Sequence, residues 1–255
     1  MSFFHAIIFG MVEGVSEFLP ISSTGHLILT AKLLGLKQSD FMTSFEIAIQ
    51  LGAILSVIVL YGRRLLCCWK VFSRVAAAFI PTAVLGLVLY KIIKKFLAHG
   101  EPVVLASLFL GGVFLILFEK FHREKENSVG DLESITYGQA LLIGVFQSIA
   151  MIPGVSRAAA TICGGLILGL KRKTIVEFSF LLAVPTMLAA TGLDLLKNGA
   201  AFSGAQWQVL GVGFLVSFFV AILSIQWLLR LIRTHTFSGF GIYRILAAAA
   251  FFFFK

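Results

Sequence analysis

The sequence predicts an all-α polytopic membrane protein built as an inverted-topology repeat, each half a re-entrant helical hairpin followed by three transmembrane helices. Three observations predict it. The 255-residue chain is 59% hydrophobic and only 13% charged, with a mean hydropathy of +0.99, against about 25% charged residues in a soluble domain. Its apolar runs are long and do not alternate, which is the pattern of helices, and a bilayer admits only helices or closed barrels as spans. Two of the runs are interrupted by short polar stretches containing proline, and the interruptions repeat.

The first apolar region, 3–36, is broken at Pro20-Ile-Ser-Ser-Thr-Gly25. Full spans are expected near 45–61, 75–90 and 103–118. After a polar stretch, the second broken region, 137–170, is interrupted at Pro153-Gly-Val-Ser-Arg157. Spans are expected again near 178–193 and 208–229, with a shorter one at 239–254. A helix needs about 20 apolar residues to cross the hydrocarbon, so flanks of about 10–17 residues read as re-entrant half-helices. An offset of 133 residues carries Pro20 onto Pro153, Ser23 onto Ser156 and Phe45 onto Phe178. Residues 1–255 thus read as one membrane domain: a first repeat 1–118, a polar connection 119–136 and a second repeat 137–255. An odd number of crossings separates the hairpins, so the halves are inverted, and their broken helices meet near the membrane midplane.

A formal net charge of +9 would suggest nucleic acid on a soluble protein. Here the cations lie between apolar runs, where they orient helices, so no nucleic-acid partner is expected. If the first hairpin opens outward, the inside receives Arg63, Arg64, Lys70, Arg74, Lys120, Arg123, Lys125, Lys171, Arg172, Lys173, Arg230 and Arg233. The outside receives Lys32, Lys37, Lys91, Lys94, Lys95, Lys197 and Lys255. Twelve cations against seven follow the positive-inside rule, although the Lys91/Lys94/Lys95 cluster runs against it. Cys67, Cys68 and Cys163 have neither disulfide parity nor metal-ligand spacing.

The first break carries most of the chemistry. Glu13 and Glu17 share one helix face at i, i+4. Two carboxylates so close in an apolar setting call for a cation or an arginine, and oxygen ligands suit Mg²⁺ or Ca²⁺. Pro20 stops the helix. Ser22, Ser23 and Thr24 are N-cap types, Gly25 permits a tight turn, and a helix starting there directs N–H groups and partial positive charge at an anion. His26, with an unperturbed pKa near neutrality, lies three residues after Ser23, within reach of a hydroxyl–imidazole pair if the turn is tight. In the second break, Ser156 and Arg157 again stand at a helix start, with Thr161 one turn on. The Arg157 guanidinium matches phosphate or carboxylate oxygens, or pairs with Glu13 or Glu17. The donors favour an oxyanion and the acids a cation. A phosphorylated amphiphile with a divalent metal satisfies both.

At these residues the chain resembles the bacterial undecaprenyl-diphosphatases, also called bacitracin-resistance proteins, over essentially its full length. Their first motif, acid-x-x-x-Glu followed by Phe-Leu-Pro-x-Ser-Ser-Thr-Gly-His, stands as Glu13 to His26. Their second, Pro-Gly-x-Ser-Arg-Ser-x-x-Thr, stands as Pro153 to Thr161 with Ala158 where the pattern has Ser. Phe45 to Gly52 and Glu177 to Pro185 also look like family stretches. The resemblance implies hydrolysis of undecaprenyl diphosphate to undecaprenyl phosphate and phosphate, with a divalent cation. The reaction recycles the cell-wall lipid carrier on the outer face of the plasma membrane, and bacitracin resistance follows from it. It implies Glu17, Ser23, His26 and Arg157 as catalytic residues. Ser22, Thr24, Gly25, Ser156 and Thr161 would bind substrate, and Glu13 and Glu17 the metal. Ser23, His26 and a water activated by Glu17 remain alternative nucleophiles. A flippase of a phosphorylated polyprenyl lipid is the competing function, and a homodimer is compatible with either.

Overall fold

A computed structural model describes residues 1–37, 39–89, 101–198 and 202–253. Its described helices are α1 (Phe3–Ser16), α2 (Ser23–Leu33), α3 (Asp40–Cys67), α4 (Trp69–Val88), α5 (Glu101–Phe121), α6 (Tyr137–Ser148), α7 (Arg157–Ile167), α8 (Arg172–Asn198), α9 (Gly204–Leu231) and α10 (Ser238–Phe253). Five of these, α3, α4, α5, α8 and α9, are long and apolar enough to cross a membrane. They coincide with the five full spans read from the sequence. The sixth run forms α10, of 16 residues.

Both broken regions form pairs of short helices. The 14 residues of α1 and 11 of α2 flank the first break, and the 12 of α6 and 11 of α7 flank the second. At 1.5 Å per residue these are about 16–21 Å long, short of the ~30 Å hydrocarbon. Each pair therefore turns back inside the molecule. Helix α5 runs on to Phe121, past the point where the polar connection was expected. Glu119, in that last turn, pairs with Arg172 and accepts the Phe237 amide, which keeps the helix end docked. Lys91, Lys94, Lys95 and Lys255, used in the charge count, fall outside the described residues.

The hairpins of one half pack on the long helices of the other. Helix α1 lies along α9, and α6 along α4. Small residues make both approaches close: a Cβ on Gly10 or Gly14 would meet the Gly213 or Ser217 carbonyl, and one on Gly144 the Ala78 carbonyl. Helices α3 and α8 pack together, as do α5 and α10. The two breaks face each other inside this frame.

Candidate active site

Each break closes on a serine in an unusual backbone conformation. Ser22 caps α2 at φ 72°, ψ 94°, and Ser156 caps α7 at φ 78°, ψ 116°. They are the described non-glycine residues with positive φ. Such conformations cost about 1–3 kcal/mol each and persist where the surroundings enforce them. Their hydroxyls accept the Gly25 amide at 3.4 Å and the Ala159 amide at 3.2 Å. The structural counterpart of Ser156 is thus Ser22, not the Ser23 that the 133-residue offset selects. The second break carries one more residue between proline and cap, so Ser23 corresponds to Arg157.

Glu17 is the centre of the site. It caps the end of α1 and is 5% exposed. The Ser23 hydroxyl donates to its Oε2 at 2.5 Å, and the Arg157 guanidinium donates to its Oε1 at 3.1 Å. Arg157 also donates to the Ser179 carbonyl at 2.9 Å, while its Nε is buried without a partner. A cavity of about 100 Å³ is lined by Glu17, Ser22, Ser23 and Thr24 from the first break. Pro153, Gly154, Ser156 and Arg157 line it from the second, with Ala150 and Met187. At ~30 Å³ of liquid per water, that space holds a phosphoryl-sized group, not a whole lipid.

Other expected residues lie elsewhere. The Ser23–His26 pair does not form. His26 Nδ1 donates to the Ser22 carbonyl at 2.8 Å, and its Nε2 meets the Tyr243 hydroxyl at 2.8 Å with the rings stacked. A carbonyl only accepts, so in the neutral ring the hydrogen sits on Nδ1 and Nε2 is the acceptor. Ser23, first residue of α2, reaches back to Glu17, while His26, nearly one turn on, faces α10. Thr161 does not face the cavity. It is fully buried, with its hydroxyl on the Ser179 hydroxyl at 2.6 Å. It supports the residue that holds Arg157. Gly25 contributes its amide to the Ser22 cap rather than to the cavity. Ala158 is 1% exposed, belongs to the apolar core and is not among the residues lining the phosphoryl-sized space.

Glu13 is fully buried, and no donor reaches either of its oxygens. It lies within electrostatic reach of Glu17, Glu46 and Arg157. With both carboxyls ionised, Glu13, Glu17 and Arg157 sum to one excess negative charge, which at full burial calls for a cation or a proton on Glu13. That imbalance fits a cation. Among the described residues no three His, Cys, Asp or Glu side chains converge on one point. The donor set therefore fits a hard cation that keeps water and substrate oxygens in its shell.

Tyr243 and Arg244 were missed by the sequence reading. Arg244 is a lone arginine within an apolar run, and an ionisable residue at membrane depth is functional by default. Two apolar grooves border the breaks. One, of about 500 Å³, runs past Ile21 and Tyr243 between α1, α9 and α10. The other, of about 460 Å³, runs past Val155 and Ala159 between α5, α6 and α7.

The chain matches known proteins over essentially its whole length. The family described as "Bacitracin resistance protein BacA" matches residues 6–250. A protein named "Undecaprenyl-diphosphatase" from Aquifex aeolicus (strain VF5) is 52% identical over 257 residues, covering 100% of both chains. One of the same name from Wolinella succinogenes is 51% identical over 254 residues, covering 100% of this chain and 98% of its own. One from Campylobacter jejuni subsp. jejuni serotype O:6 is 46% identical over 250 residues, covering 98% and 93%.

Proposed function

This chain belongs to the bacitracin resistance protein BacA family and hydrolyses undecaprenyl diphosphate to undecaprenyl phosphate and inorganic phosphate, and we propose that Ser23 is the nucleophile, Glu17 its base and Arg157 the phosphate clamp. The product is the lipid carrier of peptidoglycan synthesis, so the reaction returns carrier to the cell wall and supports bacitracin resistance.

The observation that carries the mechanism is the Ser23–Glu17 hydrogen bond, with Arg157 on the other oxygen of the same carboxylate. The Ser23 Oγ attacks the terminal phosphorus. The bond from phosphorus to the bridging oxygen breaks, and undecaprenyl phosphate leaves. Glu17 takes the hydroxyl proton and passes it to the departing oxygen. As a carboxylate again, it accepts a proton from the water that attacks the phosphoserine, and returns it to Ser23 as phosphate leaves. Arg157, through its unpartnered Nε, holds a phosphoryl oxygen and stabilises the charge that develops there. Ser22, Thr24 and Ser156 line the same space and orient the phosphate. His26 lies outside the cavity lining, held by Tyr243, which itself lines one of the apolar grooves.

Glu13 and Glu17 would hold a divalent cation, Mg²⁺ or Ca²⁺, which when bound supplies positive charge to the diphosphate oxygens. The two apolar grooves receive the polyprenyl chain. The site opens to the outer face of the plasma membrane, the orientation supported by the excess of cations on the opposite loops. Transport of a lipid phosphate needs a binding site but no hydroxyl held on a carboxylate, which favours hydrolysis. The test is phosphate release from undecaprenyl diphosphate by the purified protein in detergent, with and without EDTA. Release that EDTA stops and metal restores is expected. Lipid flipping in liposomes without release would overturn the reading.

A further inference from the structure

Arg244 is fully buried in α10, and no acid reaches it among the described residues. Its five donor contacts all go to main-chain carbonyls. Its NH1 donates to Pro20 at 3.2 Å and to Val155 at 3.0 Å. NH2 donates to Gly154 at 2.9 Å and Ser107 at 2.9 Å, and Nε to Leu108 at 3.3 Å. Pro20 belongs to the first break, Gly154 and Val155 to the second, and Ser107 and Leu108 to α5. A charged group without a counter-ion at this depth is costly, and a planar fork of five N–H donors is the side chain that can satisfy several carbonyls at once.

We infer that Arg244 is the positioning residue that holds the two breaks in register, so that Ser23 on one stays opposite Arg157 on the other. The inference rests on the hydrolase reading. Two cross-links join the breaks: Arg157 to Glu17 on the cavity side, and Arg244 behind. The first loosens during the reaction, when Glu17 takes a proton and loses the charge that attracts the guanidinium. The second involves neither group and remains in place throughout. It also orients a donor. The Val155 carbonyl points at Arg244, and across a trans peptide the Ser156 amide points the opposite way. Gly111 makes the room: a Cβ there would lie 2.1 Å from the Arg244 guanidinium nitrogen.

The test measures kcat and KM for phosphate release from undecaprenyl diphosphate, with the thermal midpoint in detergent, for Arg244→Met, Arg244→Lys and Gly111→Ala. Misplacing reacting groups by about 1 Å costs on the order of a hundredfold. Arg244→Met is expected to lose about that factor in kcat with KM within about threefold, and Arg244→Lys to recover about tenfold of it. Where Arg244→Met does not fold, Gly111→Ala decides. It keeps the charge and displaces the guanidinium, and a fall in kcat of about tenfold or more supports the inference. Wild-type kcat in folded Arg244→Met or Gly111→Ala overturns it, as does a loss that follows the thermal midpoint equally in Met and Lys variants. Wild-type protein that releases no phosphate sinks the hydrolase reading itself, and this inference with it.

Discussion

The Ser23 hydroxyl and the Glu17 carboxylate, six residues apart across a proline break, meet at 2.5 Å, while Arg157 binds the other oxygen of that carboxylate from the opposite break. One acid therefore holds both the proposed nucleophile, Ser23, and the proposed phosphate clamp, Arg157.

Glu17→Gln removes the proton acceptor and leaves the shape. General-base loss costs about 10²–10⁴-fold, so phosphate release is expected to fall by that range while the protein stays folded in detergent. A variant with wild-type kcat would show that Glu17 is not the base.

Arg157→Lys replaces a fork by a point charge. A lysine gathers its three donors on one nitrogen, which cannot span the Ser179 carbonyl, Glu17 and a phosphate as the planar fork does. Phosphate release is expected to drop about a hundredfold, with part of the loss in KM. Arg157→Ala leaves Glu17 buried without its cation, which adds about 3–5 kcal/mol of destabilisation. Thermal unfolding of the two variants separates these effects, and equal midpoints would contradict the structural half of the argument.

Glu13→Gln tests the cation. The wild-type carboxylate has no donor on either oxygen, so an amide there removes negative charge without breaking a hydrogen bond. The concentration of Mg²⁺ or Ca²⁺ needed for half-maximal activity is expected to rise about tenfold, the range found when groups that tune a metal site are lost. An unchanged metal titration would remove Glu13 from the cation site.

Ala158→Ser restores the hydroxyl of the family pattern. Ala158 sits in the apolar core and not in the cavity lining. Phosphate release is expected to stay within about twofold of wild type, since only contacts made to the transition state alter kcat/KM. A tenfold gain would place that hydroxyl on the phosphate after all.

The sequence disclosed the five long spans, both breaks and the acid, serines and arginine that line the cavity, because polar residues inside apolar runs stand out against their surroundings. It misjudged relationships set by local backbone. Ser23 and His26 looked adjacent across a turn, yet α2 begins at Ser23 and sends them to different neighbours, Glu17 and Tyr243. The extra residue in the second break shifts its cap, so Ser22 and not Ser23 matches Ser156. Arg244 was legible as a charge in an apolar run, but nothing in the chain order tells that five carbonyls from three segments converge on it.

The most direct test of the central claim is single-turnover reaction with undecaprenyl diphosphate carrying label on its terminal phosphate. A neutral denaturing quench and mass mapping of the peptides then locate the label. Phosphate on Ser23, appearing before free phosphate and accumulating with the release of undecaprenyl phosphate, is the expected result. Label on His26, or full turnover with no phosphoenzyme at any time, would contradict it.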